Sequence, residues 1–428
     1  MSRNTPAMTA SNERAATRAA SRRGAMRRLA ALMVVTIVLV AACSAAPSPV
    51  PSPSATPGTP TLSPIAPTPT PALAPRPAIW TATGDMADAG LAGWRATLLS
   101  DGRVLASGGS APSQLYDPTT GAWSLTGGST ESPGGLPVLL SDGRVLVYDA
   151  LYDPHTATWS HTRPMPVDLG PLGSRTLLAD GRVLAAGGFG PEGLIAWEAA
   201  LFDPKTGSWT ATGDMTYERG NQSATRLLDG RVLVAGGLGW NPPASYVDVD
   251  YVELASAELY DLKTGTSTAT GSMATARVGP TATLLADGRV LVVGGEGATG
   301  YLASAELYDP ATGRWMSAGT MSTVRHLYTA TRLLDGRVLV VGGLAPQTPP
   351  VRATILASAE LYDPATATWS ATASMATPRY QHAAALLVDG RVLVLGGLYF
   401  GGLYDGPLAT AELYDPGSVS GATTVEQP

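Results

Sequence analysis

Asp335-Gly336-Arg337-Val338-Leu339-Val340-Val341-Gly342-Gly343 decides the fold, read together with Ala359-Glu360-Leu361-Tyr362-Asp363-Pro364 and Trp369 downstream. Asp-Gly supplies the positive φ that a tight hairpin needs. The four aliphatic residues after Arg337 read as a buried strand, and the Gly-Gly that ends it lets another stretch of backbone approach closely. Ala-Glu-Leu-Tyr reads as a third strand, Asp-Pro-Ala-Thr as the next turn, and Trp369 opens a fourth. The first strand precedes Asp-Gly, where small and apolar residues alternate, as in Ala383 to Val388.

The pattern recurs along the chain. Asp-Gly-Arg-Val-Leu begins at Asp101, Asp142, Asp180, Asp229, Asp287, Asp335 and Asp389. Between and after these copies stand the aromatics of Leu-Tyr-Asp-Pro or a close variant: Tyr116, Tyr152, Phe202, Tyr260, Tyr308, Tyr362 and Tyr414. A Trp follows at 123, 159, 209, 315 and 369, with Ser267 in its place once. Self-similarity near fifty residues means a solenoid or propeller, and four antiparallel strands per unit, repeated radially, remove the exposed sheet edges. The expectation is all-β: a seven-bladed β-propeller over 78–418. No Trp strand follows Pro416, yet Trp80-Thr-Ala-Thr-Gly-Asp-Met86 matches Trp209 to Met215 residue for residue. The N-terminal strand should therefore complete the seventh blade.

Apolar run, Gly-Gly, Tyr-Asp-Pro and Trp at this spacing resemble the kelch repeat, over about Ile79 to Pro416. Arg379-Tyr380-Gln381-His382, leading into Leu386-Leu-Val-Asp-Gly-Arg-Val, also resembles a copper-ligating stretch of the galactose-oxidase-like kelch enzymes. That chemistry needs a thioether-modified Tyr, and no cysteine lies in the propeller, so no copper, other metal or cofactor is expected. The kelch resemblance also admits bacterial sialic-acid epimerases. It therefore implies an alternative, a carbohydrate-acting enzyme (sugar isomerase or oxidase-like) at the channel mouth around Arg325, Tyr328, Arg379 and His382.

The chain's 428 residues include one cysteine, Cys43, so no disulfide can form within it. Six arginines between Arg14 and Arg28 precede an apolar run, Leu29 to Ala42, which ends Val40-Ala41-Ala42-Cys43. A basic segment, a short apolar core and small residues at a cleavage point read as a signal peptide over 1–42. The ending resembles the bacterial lipobox, whose Cys is acylated, so Cys43 is the expected lipidation site. Residues 43–77 form a Pro/Ser/Thr-rich spacer without the apolar content for a core, extended at about 3 Å per residue. Residues 419–428 are expected to be a disordered tail. The first 42 residues carry seven Arg and one Glu, a net of +6, so their removal takes the formal charge from −6 to −12. An acidic surface argues against nucleic acid or anionic headgroups as partners. The expectation is a monomer on the extracytoplasmic side of a cell membrane, held by its lipid alone.

Some repeated residues are structural. The Asp-Gly-Arg copies sit in turns, and the Tyr and Trp pack between blades. Blades 4 to 7 carry Arg219, Arg277, Arg325 and Arg379 ten residues before Asp-Gly, and Glu258, Glu306, Glu360 and Glu412 before Leu-Tyr-Asp. Blades 1 to 3 lack both, which reads as mutual neutralisation, since an unpaired buried charge is costly. Blade 2 is shortened, with Val147-Tyr148-Asp149-Ala150 in place of Gly-Gly and its loop. Alternate turns of a meander emerge on opposite faces, so the uniform turns share one face and the variable loops the other, where binding usually resides. The candidate ligand-contacting residues are Trp240, Tyr246, Tyr399 and Tyr404 on the longest loops, with Tyr328 and His382 at the channel mouth. Asp248-x-Asp250 is a lone acidic pair, too short a motif to specify a cation. A protein or carbohydrate ligand on the variable face is the expected partner, and no catalytic residue is assigned.

Overall fold

The computed structural model describes residues 76–90, 93–108, 111–126, 135–167, 169–170, 172–190, 193–240, 251–346, 353–400 and 406–417. Cys43, the spacer, Tyr246, Asp248, Asp250, Tyr404 and the C-terminal tail lie outside them. The described residues form seven four-stranded antiparallel sheets in a closed ring, with no α-helix, so the fold is the expected seven-bladed propeller.

Blade 6 illustrates the unit: Thr329–Arg332, Val338–Val341, Ala359–Asp363 and Thr368–Thr372, paired in that order. Its second strand is Val-Leu-Val-Val and buried throughout, because it packs between neighbouring sheets on both sides and gains nothing from polar alternation. The hairpin before it differs from the two-residue turn that the sequence suggests. Leu333 N–H donates to the Arg337 carbonyl at 2.8 Å, enclosing Leu334, Asp335 and Gly336, and only Gly336 has positive φ. This is a three-residue loop with Gly at the left-handed position. The Asp335 carboxylate accepts from the Arg337 N–H at 3.0 Å and pairs with its guanidinium at 2.6 Å. The other six copies form the same Asp–Arg pair at the surface. In three blades that Arg also reaches the Asp-Pro turn of the next: Arg103 to the Pro154 carbonyl, Arg144 to Pro204 and Arg231 to Pro310. Both uniform turns therefore share one face.

The aromatics lock each blade onto the one before it. Within a sheet, Tyr (or Phe202) and Trp are cross-strand neighbours with ring centroids 5.0–5.1 Å apart and planes tilted by 43–50°. Their polar tips reach backwards. The hydroxyls of Tyr116, Tyr260, Tyr308 and Tyr414 bond Thr83, Thr212, Thr270 and Thr372 of the preceding blade at 2.7–2.8 Å. Indole N–H groups do likewise, as from Trp315 to the Gly271 carbonyl and Trp369 to that of Ala318. Blade 4, with Ser267 in place of Trp, keeps only the tyrosine hook.

Closure uses the same parts. Ile79–Ala82 pairs antiparallel with Ala411–Asp415, placing Trp80 opposite Tyr414. The Trp80 indole donates to the Ala373 carbonyl of blade 6 at 2.8 Å, while Tyr116 and Trp123 of blade 1 hook onto Thr83 and Gly84. The N-terminal strand thus completes blade 7 and receives blade 1. Trp80→Ala removes the ring contact and one interblade bond, and should destabilise the chain by about 2–4 kcal/mol. Urea unfolding of the full chain measures this, and an unchanged midpoint would refute the closure.

Candidate functional site

The face opposite the uniform turns carries the variable connections. Blades 4 to 7 each raise a two-stranded ribbon there: Leu238–Trp240 with Tyr251–Glu253, Glu296–Gly297 with Gly300–Tyr301, Leu344–Ala345 with Thr354–Ile355, and Leu398–Tyr399 with Gly406–Pro407. Among the described residues, blades 1 to 3 raise none; blade 3 has only an isolated bridge between Phe189 and Ile195.

Each ribbon stands on one Arg–Glu pair. The four arginines are fully buried and their glutamates nearly so, with closest N···O separations of 2.6–3.0 Å. The Arg277 guanidinium donates to the carbonyls of Gly294 and Ser304, the Ser304 hydroxyl and the Glu306 carboxylate, at 2.8–3.0 Å. Gly294 and Ser304 flank the points where the chain leaves the blade for the ribbon and returns. The Arg therefore satisfies backbone oxygens that the departing chain would leave buried and unpaired. The carboxylate in turn accepts the Ala274 N–H at 2.7 Å; Thr216, Ser322 and Ala376 donate equivalently to Glu258, Glu360 and Glu412. The residue after each Arg then bridges to the first ribbon strand: Gly220 to Leu238, Val278 to Glu296, His326 to Leu344 and Tyr380 to Leu398. Gly-Gly belongs to this joint. A Cβ on Gly236 or Gly342 would lie 2.6 Å from the carbonyl oxygen of Arg277 or Arg379 in the following blade.

The ribbons carry several half-buried aromatics. Trp240 packs against Tyr251 at 4.8 Å, and Tyr380 against Phe400 at 5.8 Å. Phe400 remains 42% exposed, and Tyr399 is half-buried at its ribbon's end. Tyr301 of blade 5 stacks on His326 of blade 6 at 4.4 Å with planes 6° apart. Burial holds His326 down at about 4, so this ring is neutral at pH 7. The Tyr301–His326 stack was not foreseen, because Tyr301 lies in a short loop and meets His326 only when adjacent blades are assembled. Beside it, burial and then Glu253 of the neighbouring ribbon raise the Glu296 carboxyl.

The channel-mouth candidates are placed differently. Tyr328 is buried: its hydroxyl donates to the Val293 carbonyl at 2.7 Å, and burial pushes its pKa up to about 12. His382 is also buried, with Nε2 3.0 Å from the Thr329 hydroxyl. Gln222 and Trp94 hold the matching position in blades 4 and 1. All four reach back over the Gly-Gly of the preceding blade, at Gly187, Gly294, Gly342 and Gly396. They are wedges between the inner strands, so Tyr328 and His382, expected at the channel mouth, are buried between blades. Arg325 and Arg379, the partners imagined for them in an enzyme, are committed beneath the ribbons. No three potential metal ligands cluster among the described residues.

Around the mouth, Leu172, Asn221, Gly279, Leu327 and Gln381 share the left-handed conformation. Asn221 N–H donates to the Leu172 carbonyl, Gly279 to Asn221, and Gln381 to Leu327, at 2.8–2.9 Å. The non-glycine members hold strain that surrounding hydrogen bonds maintain.

Two measurements test this arrangement. Glu306→Ala strands Arg277 in the interior and should cost about 3–5 kcal/mol, and Arg277→Met with Glu306→Leu should cost less than the sum of the two single changes while still losing the bonds to the Gly294 and Ser304 carbonyls. Losses that simply add would mean that the two charges do not neutralise each other. Burial, reinforced by Arg379, holds His382 down at about 3. An unfolded His takes up its proton near pH 6.5, so below that the unfolded chain binds a proton that the folded chain refuses. Stability should fall from pH 6.5 toward 3, and His382→Gln should lessen the fall. Unfolding midpoints at pH 7 and pH 5 for both proteins test it, and parallel losses would contradict it.

The sequence model of the Kelch motif matches residues 279–322 and 326–376, which are blades 5 and 6. No curated protein matches the chain. With the motif in two blades and the same four-strand plan in all seven, the chain is a seven-bladed β-propeller that carries kelch motifs.

Proposed function

We propose that the protein is a lipid-anchored, extracytoplasmic binding module that holds a protein or glycan ligand on its ribbon face. The observation that carries this reading is the arc of ribbons on blades 4 to 7, each on a buried ion pair, of which those of blades 4, 5 and 7 present Trp240, Tyr251, Tyr301, Tyr399 and Phe400. Aromatic rings on a rigid base suit stacking on sugars or anchoring of a protein surface at small entropic cost. The signal-like N-terminus, Cys43 and the proline-rich spacer support presentation of that face away from a membrane. Tyr246 and Tyr404 belong to the connections within two of these ribbons, and their contribution is part of the proposal.

Expression of the full chain with a palmitate analogue should label the wild type and leave Cys43→Ala unlabelled. A glycan and envelope-protein binding screen should give ligands whose affinity falls by about tenfold or more in Trp240→Ala or Tyr399→Ala, the loss expected for an interface aromatic. Hits untouched by both substitutions would place recognition elsewhere, and labelling of Cys43→Ala would end the anchor.

A further inference from the structure

Among the described residues, two arginines that are not exposed, Arg95 and Arg175, form no ion pair, and both face blade 2. Counting back from the leucine that closes each first hairpin (Leu99, Leu140, Leu178, Leu227, Leu285, Leu333, Leu387), the innermost strands align position by position. Arg175 stands where other blades have Ala96, Ala224, Ala282, Ala330 and Ala384. Arg95 stands where they have Ser174, Ser223, Thr281, Thr329 and Ala383.

Strand alternation gives the directions. Thr281 and Thr329, at the position of Arg95, bond Tyr328 and His382 of the following blade. Trp94, next to Arg95, instead lies against Gly396 of the preceding blade. Arg95 therefore points from blade 1 toward blade 2. Arg175 points back from blade 3, and its guanidinium lies 4.8 Å over the Tyr148 ring of blade 2. Between them, blade 2 has Gly135 where blade 1 places the wedge Trp94. A Cβ there would fall 2.7 Å from that of Tyr148, which sits at φ 55° in the shortened turn. The inner end of blade 2 thus has a strained tyrosine in place of a wedge and a ribbon, with Arg175 over its ring and Arg95 directed at the same blade from the other side.

Neither cation is neutralised. Arg95 makes one hydrogen bond, to the Trp94 carbonyl at 3.1 Å. Arg175 Nε and Nη2 are buried with no hydrogen-bond partner, and the exposed Asp149 attracts it without forming an ion pair. Burial lowers the pKa of both guanidinium groups. A guanidinium held away from water without partners is unfavourable, and an arriving oxyanion satisfies it with short, paired hydrogen bonds. Arg–Glu pairing in blades 4 to 7 shows how this fold otherwise handles buried arginine.

We propose that Arg95 and Arg175, with Tyr148 between them, form a binding site for a small oxyanion at the inner end of blade 2. The ligand chemistry is a carboxylate, as on an acidic sugar, or a phosphate. The site is separate from the ribbon arc and binds whether or not the ribbons engage a partner.

Isothermal titration of the full chain with glucuronate, inorganic phosphate and neutral glucose tests it. Glucuronate or phosphate should bind and glucose should not; whichever anion binds more tightly identifies the source. Arg175→Ala and Arg95→Ser place in blades 3 and 1 the residues that other blades use, so the fold should persist, as the unfolding midpoint will show. Each should weaken anion binding by about tenfold or more. Absence of binding by both anions to the wild type, or undiminished binding to the double variant, overturns the proposal. Loss here with ribbon-dependent hits intact would leave the proposed function standing, and the reverse result would remove only the latter.

Discussion

The buried Arg–Glu pair is the interaction on which the ribbon face depends. A ribbon can leave a propeller blade only where the second and third strands part, and parting exposes carbonyl oxygens inside the protein. A neutral side chain would satisfy one or two of them. Arg277 satisfies two carbonyls, a hydroxyl and a carboxylate at once, and that carboxylate captures the backbone entering the blade. The charge is incidental to the hydrogen bonding, and the Glu makes the charge tolerable. Blade 1, which raises no ribbon among the described residues, meets the entering backbone with neutral Gln114, which accepts the Ala87 N–H at 2.7 Å. The Gln can replace the Glu there because blade 1 has no arginine at this joint to neutralise.

The aromatic hooks set a second, directional constraint. Each repeat Trp, and the repeat Tyr in the four blades where its hydroxyl is bonded, reaches toward the preceding blade, so the ring closes only if the first blade finds a fourth strand behind it. The N-terminal strand supplies that strand and carries its own Trp80. A ring fastened at each joint by one or two bonds, with a tilted aromatic pair in every blade but the fourth, is stiff at its periphery. Rotation of a ribbon would require its Arg, its Glu and the next blade's Gly-Gly contact to move together.

Much of this was legible in the sequence because the repeat compares the chain with itself. Seven copies separate what every blade needs, such as Asp-Gly and Tyr, from what only some need. The joint presence of Arg and Glu in four blades identified them as a unit before any coordinate. What stayed hidden depends on contacts between blades. Tyr328 and His382 looked like mouth residues because they vary among blades. Their variation reflects different ways of filling one gap over Gly-Gly: Trp94 by bulk, His382 by a bond to Thr329. Tyr301 and His326 are in different repeats, so no pattern within one repeat could join them. The hairpin was read one residue short because only its glycine has positive φ, and Leu334 is outside the repeated Asp-Gly-Arg motif.

The two arcs of the ring solve the problem of buried arginine in opposite ways. In blades 4 to 7 the guanidinium is consumed by the fold, and the ribbon above it is what remains for a partner. Around blade 2 the ribbon and the glutamate are both missing, and Arg95 and Arg175 keep hydrogen-bonding capacity that the fold does not use. Retaining two half-buried arginines without ion pairs is unfavourable for a purely structural module, since Ala and Ser serve at the same positions elsewhere in the ring. The asymmetry therefore separates aromatic recognition on one arc from anion recognition on the other, with the channel mouth and its strained left-handed residues between them.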